Sequence, residues 1–362
     1  MTRVIAVDGP LGGMQEGSTV TAEYDVPDQA WYFEQNASSA MPFAVLMEVA
    51  LQPCGWLAMY AGSVLGSPAD LVFRNLDGTG TVQGEVRPGS GALRTRAELR
   101  HISGSGGMII ETFAVECSVA GGPAHGVRVF AMDTVFGFFP AAMMAQQAGL
   151  PASAAERERL AEPSGRAADL RAGPEQREGA AQPADASQPA DAGRKAGTGP
   201  KMGTGQAGPG LARLAGPMLL MLDRITGYWP DGGAAGLGRL RAEKDVDPGE
   251  WFFRAHFFQD PVQPGSLGVE AMCQLLQWYL IEREMTVGLR NPRFEPVLPG
   301  QPVTWKYRGQ VVPASERISI EMEITAQGAD DRGRYAIGTG WLWVDGLRIY
   351  QVHGLGMRVV PG

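Results

Sequence analysis

The chain has 362 residues, 44% of them hydrophobic, which is enough for two ordinary domains or one fused double domain with a sizeable core. A formal net charge of -8 and a sequence pI near 5.2 argue against nucleic acid or an anionic membrane as the main partner, since both demand a basic face. No run of 18 uninterrupted apolar residues and no basic-then-apolar leader is present, which predicts a soluble, cytoplasmic protein.

The chain opens almost directly in a strand, without the "PMLLMLDR" lead found at 217 to 224, and that opening reads as an excised domain or a shortened first copy. "TAEYDVPDQAWYFEQN" (21 to 36) follows, then "FAVLMEVALQPCGWLAMYAGS", apolar nearly all the way round. That pattern predicts a helix buried on most sides rather than an amphipathic surface helix. Pro42 suits its first turn, where a missing N–H is harmless, and Pro53 is expected to kink it one turn beyond Glu48. In "FAVECSV", Phe113, Val115, Cys117 and Val119 alternate with polar or small residues, as a half-buried strand requires.

From about 147 to 215 the composition shifts to Ala, Gly, Pro and Gln, including "QPADASQPADAG" at 182 to 193, with almost no aromatic or β-branched residues. Such a stretch buries too little apolar surface to offset chain entropy, so residues 147–215 are expected to form a disordered linker. A short helix over "PASAAERERLAE" (151 to 162) is the one structured alternative within it.

Beyond the linker the first copy returns. "RAEKDVDPGEWFFRAH" (241 to 256) matches 21 to 36 at a constant offset of 220: Ala22, Glu23, Asp25, Val26, Trp31 and Phe33 against Ala242, Glu243, Asp245, Val246, Trp251 and Phe253. After two extra residues the offset is 222, and Pro42, Glu48, Gln52 and Trp56 match Pro264, Glu270, Gln274 and Trp278. The second helix is "SLGVEAMCQLLQWYLIERE", with Pro264 in its first turn. Strands are expected over 303 to 312, in "ISIEMEI", over 334 to 344 and through "LRIYQVHGLGMRVV", with Asp345-Gly346 as a hairpin turn. One long helix followed by several antiparallel strands, twice, is an α+β double hotdog, each copy a sheet wrapped round a central helix. The expected organisation is 1–146 as the first hotdog, 147–215 as linker and 216–362 as the second.

The segment "LLMLDRITGYWPDGGAAGLGRLRAEKDVDPGEWFFRAHFFQDPVQPGSLGVEAMCQLLQWYL" resembles the bacterial FabA-like 3-hydroxyacyl-ACP dehydratases and dehydratase/isomerases, over the part carrying their histidine, Pro-Gly and helix acid. The first copy, with "WYFEQN", "MPFAVLMEVALQPCGW" and "FRNLDG" (73 to 78), resembles the leading half of the fused dehydratase regions of polyunsaturated fatty acid synthases. The resemblance covers residues 1 to about 145 and 216 to 362. It implies dehydration of a 3-hydroxyacyl chain carried on the phosphopantetheine arm of an acyl carrier protein. No prosthetic group or metal is implied, and other synthase domains are expected as partners. Isomerisation of the double bond stays open, because the isomerising branch carries Asp where both copies here carry Glu. A homodimer, a hotdog thioesterase and a non-catalytic docking module of a megasynthase also stay open.

Loss of water from such a thioester needs a base for the C2 proton, an acid for the departing hydroxyl and donors for the thioester oxygen. His256 is the natural base. A carboxyl group on an apolar helix has its pKa raised by desolvation and suits the acid. Gly265, in the first turn of the second helix, offers free backbone N–H groups at the positive end of the helix dipole. The copies differ here: at the matched positions Asn36 replaces His256 and Phe43 replaces Gly265. In the dimeric enzymes this resembles, the histidine of one hotdog faces the acid of the other. Carried over, His256 and Gly265 meet Glu48, while Asn36 and Phe43 meet Glu270 in a degenerate site. Gln52 and Gln274, one turn after each acid, are placed to support it.

The weaker candidates receive structural readings. His101, His125 and His353 belong to surface strands or turns, Asp260-Pro261 shapes the loop after His256, and Trp31, Trp56, Trp251 and Trp278 are core. Cys54, Cys117 and Cys273 lack metal-ligand spacing, and their odd number fits buried thiols in a reducing compartment.

Overall fold

Two long helices organise the chain, and each begins immediately after a proline. Helix α2 (Phe43–Ala61) follows Pro42 and helix α6 (Gly265–Glu282) follows Pro264; neither N-terminus has a side-chain cap. Every residue of α6 from Ser266 to Leu280 is buried, the outcome that its nearly continuous apolar character predicts. Helix α2 is long and apolar enough to cross a bilayer by length and composition, yet most of it is buried inside the fold. Short helices α1 (Trp31–Gln35) and α5 (Trp251–Ala255) precede the long ones. The computed structural model describes residues 1–65, 67, 70–122, 124–144, 148–164, 166–171 and 212–362.

Round α2 run six antiparallel strands: β1 (Arg3–Asp8), β2 (Thr19–Asp25), β3 (Leu71–Val82), β4 (Ala92–Ser105), β5 (Met108–Ala120) and β6 (Arg128–Pro140), paired in the order β1-β2-β4-β5-β6-β3. A single helical turn, α3 (Ala141–Met144), follows β6. Round α6 run β8 (Arg224–Trp229), β9 (Arg239–Asp245), β11 (Pro302–Tyr307), β12 (Arg317–Ala329), β13 (Arg334–Val344) and β14 (Leu347–Val360), in the order β8-β9-β12-β13-β14-β11. The short β10 (Arg293–Phe294) pairs with the end of β14. The two orders are the same, so the repeat read from residue matches is a repeat of topology: a double hotdog. The last strands pair antiparallel, β3 with β11, joining both halves into one sheet.

Matched residues that touch one another mark a pseudo-twofold axis at this seam. Thr79 sits opposite Thr304 with hydroxyls 3.0 Å apart, and Trp31 meets Trp251 edge to face at 4.9 Å between ring centroids. An ion-pair triad also repeats. Arg3 binds Glu23 and Asp25, and Arg224 binds Glu243 and Asp245, with closest contacts of 2.7 Å and 2.8 Å to the glutamates and 2.7 Å to each aspartate. Asp345 and Gly346 both take positive φ between β13 and β14, as a two-residue hairpin turn demands.

The linker expectation needs correction over 148–171. Helix α4 (Ala154–Arg159) begins with a capping box, Ser153 and Glu156 bonding each other's backbone N–H, and β7 (Ala168–Asp169) pairs with β8. Arg348 binds Glu156 at 2.7 Å and Arg159 binds Glu323 at 2.9 Å, while Leu170 is buried. Charged residues that looked like a solvated tract are thus paired to the second hotdog. At the other end Leu214 and Ala215 are buried as well. Residues 172–211, including "QPADASQPADAG", lie outside the described residues.

Candidate active site

His256 ends α5, its N–H bonded to Phe252 O. Its Nδ1 lies 3.0 Å from Val262 O. A carbonyl only accepts, so Nδ1 carries the proton of the neutral ring and Nε2 is left as an acceptor. Val262 N–H in turn donates to His256 O at 2.8 Å, closing the loop between them. A clasp from the other hotdog holds that loop: Arg74 of β3 binds Asp260 through two contacts of 2.7 and 2.9 Å and Gln310 through a third of 2.9 Å. Asp260 therefore does more than turn the chain.

Two residues after Gln263 the chain enters α6. A Cβ at Gly265 would lie 2.7 Å from the ring of Tyr307, so only glycine fits there. At Gly268 a Cβ would meet the Tyr350 ring at 2.5 Å. Ser266, in the same first turn, donates its hydroxyl to Glu48 Oε1 at 2.7 Å. Glu48 comes from α2, so the acid of the first hotdog is brought to the helix start of the second.

A cavity of about 690 Å³ lies between the halves, and His256, Gly265, Ser266 and Glu48 all line it. From Glu48 it follows one face of α2 through Leu51, Gln52, Gly55, Trp56 and Met59, the i, i+3, i+4, i+7 spacing of a helical stripe. At the helical rise of 1.5 Å per residue this stripe is about 16 Å long. Phe73, Phe136 and Phe138 form the facing wall, with Phe73 and Phe136 stacked at 4.5 Å. Gly55 lets the Phe73 ring approach, since a Cβ there would sit 3.2 Å from it.

The matched positions on the other side are closed. Asn36 is buried and donates its amide to Ala40 O at 2.8 Å, the counterpart of the bond from His256 to Val262 O, but it has no basic nitrogen. Phe43 is buried and packs edge-on against Phe130. Glu270 is buried, bonded by Gln274 Nε2 at 3.0 Å and by Ala44 N–H. Ala44 is the counterpart of Ser266, so each acid faces the start of the other helix. Burial pushes the Glu270 carboxyl up to about 7, against the pull of Gln274 and Ala44. Gln274 is itself held by the lead segment, donating to Leu219 O and accepting from Met221 N–H, each at 2.8 Å.

The expected support by glutamine is thus seen at Glu270, whereas Gln52 is exposed and accepts from the Met1 amine. Ser266 holds Glu48 instead. Trp56 lines the cavity and stacks on Tyr60, a correction to its reading as core; Trp278 is buried as expected. His101 pairs with Glu16 on the surface, His125 accepts from Gly121 N–H in a turn, and His353 meets Thr339 across strands. The three cysteines are free and buried. Among the described residues no three His, Cys, Asp or Glu side chains converge as metal ligands would.

Comparison with known proteins finds a family match over most of the second hotdog. Residues 214–353 match the model of the FabA-like domain. The chain is 32% identical over 360 residues to one of the polypeptides of the polyunsaturated fatty acid synthase of Thraustochytrium sp. (strain ATCC 26185 / S-3), covering 95% of this chain and 22% of that protein. It thus spans about a fifth of that relative's length. Among solved structures, a MaoC-like dehydratase aligns with a TM-score of 0.45 at 13% identity, covering 96% of this chain and 98% of that one. The dehydratase domain of the CurJ module of curacin polyketide synthase aligns with 0.46 at 9% identity, covering 96% and 92%. A putative oleoyl thioesterase from Lactobacillus plantarum aligns with 0.47 at 8% identity, covering 97% and 100%. The stretch that matches the FabA-like domain, residues 214–353, carries both His256 and Gly265.

Proposed function

We propose that the chain removes water from a 3-hydroxyacyl thioester, delivered on the phosphopantetheine arm of an acyl carrier protein, to give the trans-2-enoyl thioester. The observation that supports this most is the cavity in which an imidazole with a free Nε2, a glycine helix start and a carboxyl group from the other hotdog come together. As proposed, His256 Nε2 takes the C2 proton. The C2–H electrons form the C2=C3 bond, the C3–O bond breaks, and Glu48 protonates the departing hydroxyl as water. The thioester oxygen gains charge during proton removal and faces the N–H groups at the start of α6, the positive end of the helix dipole. Protons exchanged with solvent return His256 to neutral and Glu48 to its acid form. No prosthetic group enters this scheme.

The apolar stripe from Leu51 to Met59, with Phe73, Phe136 and Phe138 opposite, suits a fatty tail running along α2. At the helical rise its length of about 12 Å corresponds to a medium-length chain rather than a short one.

The test is incubation with a 3-hydroxyacyl-pantetheine thioester followed by mass spectrometry, for wild type, His256→Ala, Glu48→Gln and Glu270→Gln. Loss of water in wild type and Glu270→Gln, but in neither of the others, is the expected result. Release of free acid would mean a thioesterase, and an unchanged substrate a docking module.

A further inference from the structure

Tyr307 is the inward-facing residue at the end of β11, buried and lining the same cavity. Its ring is held on two sides: it packs against Tyr350 at 4.5 Å between centroids, and it covers Gly265 so closely that no side chain fits between them. The hydroxyl has no hydrogen-bond partner among the described residues. Other tyrosines in the fold differ in this respect. Tyr279 donates to Leu237 O and lies 2.7 Å from Gln327 Oε1, and Tyr24 and Tyr32 bond each other. A buried phenol left unpaired is costly, and here it belongs to a residue fixed in the cavity wall.

Resting on the dehydratase reading, we propose that the Tyr307 hydroxyl is a catalytic donor to the substrate's thioester oxygen, acting beside the Gly265 N–H. Its ring, including the carbon that bears the hydroxyl, lies against the glycine whose amide begins α6. Burial holds its proton on well above the usual phenol range. It therefore serves as a donor and not as a base. As His256 withdraws the C2 proton, negative charge grows on the thioester oxygen, and a preorganised donor there is worth more in the transition state than in the bound substrate. No covalent bond or proton changes hands at Tyr307.

Tyr307→Phe keeps the packing and removes only the oxygen. We expect kcat for dehydration to fall about 100- to 1000-fold, the range for loss of one oxyanion donor, with KM nearly unchanged. A structural role would not alter the carbonyl stretch of a bound 13C-labelled trans-2-enoyl-pantetheine thioester, read by isotope-edited infrared spectroscopy. The proposal requires that stretch to be lowered in wild type and to move back up in Tyr307→Phe, with thermal melts confirming that both are folded. Fluorotyrosine installed in place of Tyr307 should lower it further, which keeps the test informative should the phenylalanine variant fold poorly. An unchanged stretch overturns the proposal whether or not kcat falls. Should wild type fail to dehydrate while the stretch still depends on Tyr307, the donor assignment stands and the dehydratase reading fails.

Discussion

The two hotdogs carry the same acid at the same helix position, and the surroundings make them different groups. Glu48 faces the start of α6, receives the Ser266 hydroxyl and borders a cavity. Glu270 faces the start of α2, where Phe43 fills the place of Gly265 and the lead segment holds Gln274. One carboxyl is thus open to a ligand and the other is sealed in the core. Duplication of a fold supplies two acids and two helix starts, but only the crossed combination of first-copy acid with second-copy histidine and glycine borders the cavity.

Removing the two groups that distinguish the open side has the largest expected effect. His256→Ala and Glu48→Gln should each lower kcat for dehydration by about 100- to 10,000-fold, the usual range for a general base or acid. The double variant should be little worse than either single one, because both act in one step. Additive losses in a mass-spectrometric rate assay would break the idea of a single crossed site. Ser266→Ala should cost less, about tenfold in kcat, since it removes one hydrogen bond that orients Glu48 without touching the substrate. Its matched residue is Ala44, which bonds Glu270 only through its backbone, so Ser266→Ala makes the open side resemble the sealed one by one atom. Recovery in Ser266→Thr would confirm that the hydroxyl is what matters.

How much of this was legible beforehand depended on the kind of signal. The helices, the strands from β11 to β14 and the repeat all follow from local periodicity and matched residues, and the sheet orders of the two halves agree with them. That His256 and Glu48 line one cavity agrees with the crossed arrangement the resemblance implied, while the residues themselves showed only that Asn36 and Phe43 stand in the first copy where the second has His256 and Gly265. The clasp between Arg74 and Asp260 spans 186 positions and leaves no local trace. Ser266 looked like an ordinary polar residue in a first turn. Tyr307 was hidden by alternation: Val303, Trp305 and Tyr307 read as one apolar face of β11, and only the third has an unpaired polar tip. The error over 148–171 was avoidable, since Ser153 and Glu156 have the spacing of a capping box, but composition outweighed that motif.

The smallest effect on activity belongs to Glu270→Gln, and its effect on stability has a definite sign. In the fold the Glu270 carboxyl titrates at about 7, above its ordinary 4.5, because burial penalises the charge. The folded state therefore binds this proton more tightly than the unfolded state. That preference stabilises the fold fully below about 4.5 and is lost progressively as pH rises to about 7. Above that window the wild type must either hold a buried carboxylate or bear the cost of protonating it, about 3 kcal/mol at the conversion of 1.36 kcal/mol per pKa unit. Glutamine is neutral throughout and keeps a carbonyl oxygen for Gln274 and Ala44. Glu270→Gln should accordingly match wild type in thermal melts near pH 4, gain on it between about pH 5 and 7 and level off above, with dehydration unchanged. A wild type that keeps pace with Glu270→Gln across the whole range would mean that the Glu270 carboxyl is not sealed in the core, and the contrast between the open and sealed sides would fail.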